Sequence, residues 1–150
     1  MRLWYKGLIP ALPNKHLLSQ WRECCLIAKS VAERGTPNHI LVNKVIDYSY
    51  LHLLKYGYLV INEMRRRKLN VKPEAIEKFD NWIYKNTDKY APARNAVDEE
   101  ELFKYWHTFR YGKQCMLNLQ EKYDCGMISH KEWQKLLDRW DFLFPHDVII

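Results

Sequence analysis

LPNKHLLSQWRECC, residues 12–25, is the stretch whose reading decides the fold. Pro13 and Asn14 mark a helix start, with Asn14 placed to accept from the orphan N–H groups of a first turn and so act as the N-cap. The pattern predicts a helix over residues 15–33. At about 100° of rotation per residue, Leu17, Leu18, Trp21, Cys24, Cys25, Ala28 and Val31 fall on one broad apolar side that needs a partner to bury it. His16 and Glu23, seven apart, lie along one border of that side, while Lys15 and Arg22, also seven apart, lie on the opposite, polar side. Two readings of Glu23 fit this placement. It is a border carboxylate in a surface ion pair, or a carboxylate that handles a proton or steadies a developing positive charge.

Upstream, residues 1–13 (MRLWYKGLIPALP) read as an extended arm. Two prolines and Gly7 oppose a helix there, and Leu3, Trp4, Leu8 and Ile9 can pin the arm to a core. Downstream, residues 33–39 form a Gly/Pro/Asn loop, and HILVNKVI is a short strand or a buried loop, with Asn43 and Lys44 available to phosphates. A second helix is expected from residue 47 or 49 to about residue 68, burying Leu51, Leu54, Tyr58, Ile61 and Met64 at spacings of three and four. Gly57 inside it either admits a close neighbour or is a mild defect. Its end, Arg65, Arg66, Arg67 and Lys68, complements the negative end of the helix dipole. The same cations can grip phosphates, and the two readings are not exclusive.

A third, shorter helix starts at Pro73 and Glu74 and buries Ile76, Phe79 and Ile83. Residues 86–96 read as a connecting loop. Asp98 then opens an expected long helix with an acidic first turn, whose core stripe is Leu102, Trp106, Phe109, Cys115 and Leu119. On a neighbouring face His107, Arg110, Tyr111 and Gln114 recur at three, four and seven. That set is either a solvated polar face or equipment for holding a phosphate and stacking on a base. Ser129 with Glu132 is a capping box before a last helix whose stripe is Trp133, Leu136, Leu137, Trp140 and Phe144. The expected fold class is therefore all-α: a single-domain bundle of about five helices behind an extended N-terminal arm.

Composition narrows the function classes. Twenty-four Lys and Arg against eighteen Asp and Glu give a net charge of +6, which suits a polyanionic partner without proving one. Six Trp and ten Tyr fit a dense core or base-stacking surfaces. The cysteines, Cys24, Cys25, Cys115 and Cys125, have no zinc spacing and read as buried free thiols. No secretory signal and no 18-residue apolar span is present, so a cytoplasmic protein without a membrane partner is expected.

Three features together resemble the pyrimidine-dimer DNA glycosylase family: His16-Leu17 followed by Arg22-Glu23, an arginine at position 2, and YLVINEMRRRKLNV at 58–71. The likeness covers about the first half of the chain. It implies a small all-helical enzyme that cuts the glycosidic bond of a UV photoproduct in double-stranded DNA and then nicks the strand as an abasic-site lyase. It also implies that the nucleophile is the α-amine of the chain terminus, assisted by a glutamate, with arginines and a histidine around the lesion. Carried over by motif, those roles fall on the Met1 amine, Glu23, Arg2, Arg22 and His16. Two departures stand out. Arg2 is too bulky for ordinary removal of the initiator, so Met1 is expected to remain and to supply the amine; and Lys15 stands where the family has a neutral amide.

The chemistry is sound without the likeness. An α-amine titrates at about 7.7–8.0 in model peptides, which leaves a nucleophilic neutral fraction at neutral pH. Such an amine can attack C1′ of a sugar and form an imine, covalent catalysis that calls for no metal or organic cofactor and no obligate protein partner. The rival expectation is a non-catalytic nucleic-acid-binding protein on the same fold. A third is a helical interaction module whose charge is incidental.

Overall fold

The computed structural model describes residues 1–85 and 97–149, and over them the chain is all helical. Five α-helices follow in order: α1 (Asn14–Arg34), α2 (Tyr50–Arg66), α3 (Pro73–Lys85), α4 (Phe109–Asp124) and α5 (His130–Leu143). Two short 3-10 helices, Lys6–Ala11 and Asn43–Asp47, precede α1 and α2. The loop expected over 86–96 lies outside the described residues. Among the described residues no helix is long and apolar enough to cross a membrane.

The α1 helix is the central element, packed against α2 and α3, while the Lys6–Ala11 turn packs on α5 and α2. Its inner face is Leu17, Gln20, Trp21, Cys24, Ile27, Ala28 and Val31, with Leu18 and Cys25 only half-buried. The expected N-cap is corrected. The Pro13 carbonyl already accepts from Leu17 N–H at 2.9 Å, so Asn14 is the first helical residue. Its side chain instead accepts from Arg67 at 3.0 Å. The helix ends where Gly35 takes a left-handed conformation (φ 76°) and donates back to the Val31 carbonyl.

The arm is pinned as the hydrophobic pattern predicts, with Leu3, Trp4, Leu8 and Ile9 all buried. It is not extended throughout, because Lys6–Ala11 winds into a 3-10 turn. Short i→i+3 bonds such as Leu8 N–H to the Tyr5 carbonyl (2.9 Å) tolerate the Pro10 that an α-helix would not. The HILVNKVI segment is likewise no strand but a turn leading into Asn43–Asp47. Gly57 earns its place in α2 sterically: a Cβ there would lie 2.4 Å from Cζ of the buried Phe79 ring of α3.

The long helix expected from Asp98 is also corrected. Residues 98–107 form successive turns, and α4 begins only after Thr108, whose hydroxyl accepts from Tyr111 N–H. Backbone groups that a helix would need are taken elsewhere. Lys6 Nζ binds the carbonyls of Glu99 and Leu102, each at 2.6 Å, and Phe103 N–H donates to His52 Nδ1 at 3.0 Å. Phe103 and Tyr105 adopt positive φ (51° and 73°), which no α-helix accommodates. The last helix starts on the expected Ser129/Glu132 capping box, and Trp133, Leu136 and Trp140 are buried. Not all thiols are buried: Cys24 and Cys115 are, Cys25 is half-buried and Cys125 exposed.

Candidate active site

The arm crosses α1 at Gln20 and Glu23, and a dense hydrogen-bond lattice fixes the crossing. Gln20, fully buried, accepts from Trp4 N–H (2.7 Å) and from the Tyr56 hydroxyl (2.8 Å) through Oε1. Its Nε2 donates to the Arg2 carbonyl (2.8 Å) and to Glu23 Oε2 (3.1 Å). The single Tyr56 O–H is shared between Gln20 Oε1 and the Trp4 carbonyl, the latter at 2.6 Å, and Tyr111 of α4 donates to the Leu3 carbonyl. Burying an amide and a phenol is tolerable because every polar atom of the pair finds a partner. The result is a rigid seat for residues 2–4.

Glu23 closes the lattice. Its Oε2 accepts from Arg2 N–H at 3.2 Å. Covalent geometry keeps the Met1 nitrogen within about 4 Å of that Arg2 nitrogen, and so within about 7 Å of the carboxylate. Among the described residues no cation lies within 4.0 Å of Glu23. The carboxylate is half-buried and held by neutral donors. Met1 lines a cleft of about 300 Å³ with Leu26, Ser30 and Glu33 of α1.

The Arg2 guanidinium turns the other way. It lies 5.5 Å from the Trp4 ring centroid and lines a cavity of about 680 Å³ with Lys44, Tyr105, Arg110, Tyr111 and Gln114. It also reaches Tyr111 and Cys115, partly opposing the rise that burial imposes on both groups. The structure therefore brings Arg2, Arg110 and Tyr111 to one cavity and Glu23 to the backbone at the tip of the arm.

The remaining sequence-selected residues are placed differently. His16 packs edge-on against Trp4 (6.0 Å), on the side of α1 facing α4 and α5. Burial and the charge of Lys122 hold its imidazole below its usual range, with Lys15 adding to and Glu132 opposing the shift. Its Nδ1 is buried without a partner. Lys15 and Arg22 are exposed on the outer side of α1. Arg65 is exposed at the end of α2, and Arg66 pairs with Glu63. His107 does not share the Arg110 and Tyr111 face, because it precedes α4. It is buried among Tyr5, Tyr56, Phe103, Trp106 and Tyr111 rings and lines a second cavity of about 710 Å³. Its Nδ1 accepts from Lys6 N–H at 3.0 Å, and burial together with the Lys6 charge pushes its pKa well down.

Gln20 and Tyr56 were missed by the sequence reading. Gln20 had a signal: it stands three after Leu17 and four before Cys24, a polar residue inside an apolar stripe, which calls for a buried partner.

The arm thus brings the chain's first residues to the Glu23 carboxylate, and its Arg2 side chain reaches on into a cavity that Lys44 and Arg110 also line. A family profile described as pyrimidine dimer DNA glycosylase matches residues 1–77, half of the chain, and the chain belongs to that family of DNA repair glycosylases. Comparison with curated proteins and with solved structures returns no match.

Proposed function

We propose that this protein removes damaged pyrimidines from duplex DNA and then cleaves the strand as an abasic-site lyase, with the Met1 amine as nucleophile and Glu23 as its acid–base partner. The neutral amine attacks C1′ of the damaged nucleotide; the new C–N bond forms as the glycosidic bond breaks and the base departs with the bonding pair. Glu23 assists opening of the sugar ring to the imine and accepts the C2′ proton in the elimination that expels the 3′ phosphate. Water then hydrolyses the imine and returns the free amine. Arg2, Arg110 and Lys44 face the negative backbone, and Tyr111 lines the space that receives a displaced nucleotide. Arg22, Lys15 and Arg65 add exposed charge toward flanking phosphates.

The single observation that supports this reading is the 3.2 Å bond from Arg2 N–H to Glu23, which keeps the preceding amine within about 7 Å of the carboxylate. The test is reductive trapping: protein incubated with abasic-site DNA and borohydride forms a covalent adduct through the α-amine of Met1. The adduct disappears in Glu23→Gln and when the amine is blocked by acetylation. Wild-type protein that retains DNA at low salt yet yields no adduct would overturn the catalytic reading in favour of simple binding.

A further inference from the structure

Two tips on the rim of the Arg2 cavity break the usual rule for exposed turns. Val42 N–H donates to the His39 carbonyl at 3.0 Å, closing a four-residue turn with Ile40 and Leu41 at its tip. Such tips are ordinarily Gly, Asn, Asp or Ser. Here Ile40 is 86% exposed and Leu41 47%. Facing the same cavity from the 98–107 turns, Tyr105 is 85% exposed at φ 73°. A bulky residue at positive φ persists only where its surroundings over-determine it, and strain of this kind gathers at functional sites.

The surroundings do over-determine it. The Tyr48 hydroxyl binds the Lys104 carbonyl, Phe103 N–H is held by His52, Lys6 grips the Leu102 carbonyl, and Trp106 N–H returns to the Phe103 carbonyl at 3.0 Å. The Ile40 turn is braced as well, with His39 N–H on Asn43 Oδ1 at 2.9 Å and Leu41 N–H on His39 Nδ1. These bonds hold the backbone that carries both tips. Between them the cavity carries Arg2, Lys44 and Arg110, and among the described residues no carboxylate lines it.

We infer that Ile40 and Tyr105 are a pair of fixed wedges that enter the base stack of duplex DNA at the lesion. Ile40 prises a base step apart and Tyr105 stacks on the base face so exposed, while Arg2, Lys44 and Arg110 hold the bent backbone. Apolar side chains inserted between base steps unstack and kink a duplex, and aromatic stacking on a base is strong enough to stabilise the opened form. The charge of the cavity selects a polyanion over an apolar protein partner. The inference deepens the DNA-repair reading and rests on it for its substrate, but not on the Schiff-base chemistry.

The experiment uses a duplex with 2-aminopurine beside an uncleavable abasic-site analogue, so that unstacking is read without catalysis. Wild-type protein raises the fluorescence severalfold on binding. The Ile40→Ala/Tyr105→Ala double variant binds about tenfold or more weakly and, at saturation, gives no rise, while Tyr105→Phe keeps it because the ring is retained. Both positions of change, Ile40 and Tyr105, lie at the surface, so matching circular dichroism melts establish that folding is intact. A double variant that brightens the probe as wild type does, or a wild type that binds without brightening it, overturns the wedge and leaves the glycosylase reading standing. No DNA binding by wild type overturns both. A wild-type dimer in sedimentation, abolished by the double variant and indifferent to DNA, overturns the wedge by showing a second copy to be the occupant of the patch.

Discussion

Glu23 on α1 and Glu63 on α2 are both shielded carboxylates near the N-terminal arm, and they are partnered in opposite ways. Glu63 is saturated by charge: Arg66 binds it through two nitrogens, and Arg67 through Nε at 2.8 Å. Arg67 then spends its remaining nitrogens on the carbonyls of Ile9, Pro10 and Leu12 and on Asn14. Among the described residues, Glu23 receives a backbone amide and a side-chain amide and no cation within 4.0 Å. The first arrangement makes a clamp, with its charge cancelled and its lone pairs occupied. The second positions a carboxylate while leaving its charge and one oxygen available for chemistry. The arm runs between the two, clamped at residues 9–12 by Arg67 and seated at residues 2–4 by Gln20, Tyr56 and Glu23.

Exchanging the charge of each carboxylate for an amide breaks the comparison most sharply. Glu23→Gln keeps an acceptor for Arg2 N–H, so its melting curve should stay within about 0.5 kcal/mol of wild type. Borohydride-trapped adduct should fall by about 10²–10⁴-fold, the usual contribution of a placed acid–base group. Glu63→Gln should do the reverse. Denaturant unfolding should show a loss of about 2 kcal/mol as charged hydrogen bonds become neutral ones, with trapping per folded molecule kept within about threefold of wild type. Equal losses of trapping in the two variants would dissolve the distinction.

How much of this was legible beforehand differs between the two carboxylates. Glu23 could be singled out because helix periodicity places it on a border, and the His16, Arg22 and Glu23 spacing carries the family likeness. Glu63 could not: Arg66 and Arg67 read as helix-end cations for the dipole or for phosphates, and no local pattern shows that the arm's carbonyls converge on Arg67. The five α-helices followed from apolar spacing. The failed stretch, residues 98–107, failed because its backbone is commandeered by Lys6 and His52, residues more than fifty positions away that no local pattern can report. His107 was lost from the expected DNA face for the same reason. Exposed Ile40 and Tyr105 gave no signal, because apolar residues in a sequence are read as core.

Acid separates the buried groups further. Burial opposes ionisation of Glu63, but the hydrogen bonds and charges of Arg66 and Arg67 outweigh it and hold its carboxyl below the usual value of 4.5. Its contribution is therefore complete above about 4.5 and is lost as pH falls through the lower folded value. His107 acts sooner. Burial keeps it neutral in the fold, so below its ordinary 6.5 the unfolded chain takes up a proton that the folded one refuses, and stability falls with pH toward the folded value. Between pH 6.5 and 5, wild type should lose up to about 1.4 kcal/mol per pH unit more than His107→Asn, which retains an acceptor for Lys6 N–H without titrating. Below pH 4.5, Glu63→Gln should show the flatter acid limb. Parallel stability profiles for wild type and His107→Asn above pH 5 would mean that the imidazole is accessible to protons in the fold.

The seat of residues 2–4 offers the finest division, because it is shared between halves of the chain. Tyr111, from α4 and outside the family-matched region, donates to the Leu3 carbonyl while its ring lines the Arg2 cavity. Tyr111→Phe removes one hydroxyl and leaves the ring, so about 1 kcal/mol of stability should go with the hydrogen bond. If the second half of the chain only buttresses the fold, trapping should be unaffected once the protein is saturated with DNA. If α4 also sets the arm's register against Glu23, the loosened arm should lower the trapping rate at saturating DNA by about two- to tenfold while DNA affinity stays at the wild-type value, since a displacement of about 1 Å at the nucleophile is costly. We expect the second outcome, because Leu3 lies one residue beyond the amide that Glu23 holds and, among the described residues, Tyr111 alone binds its carbonyl.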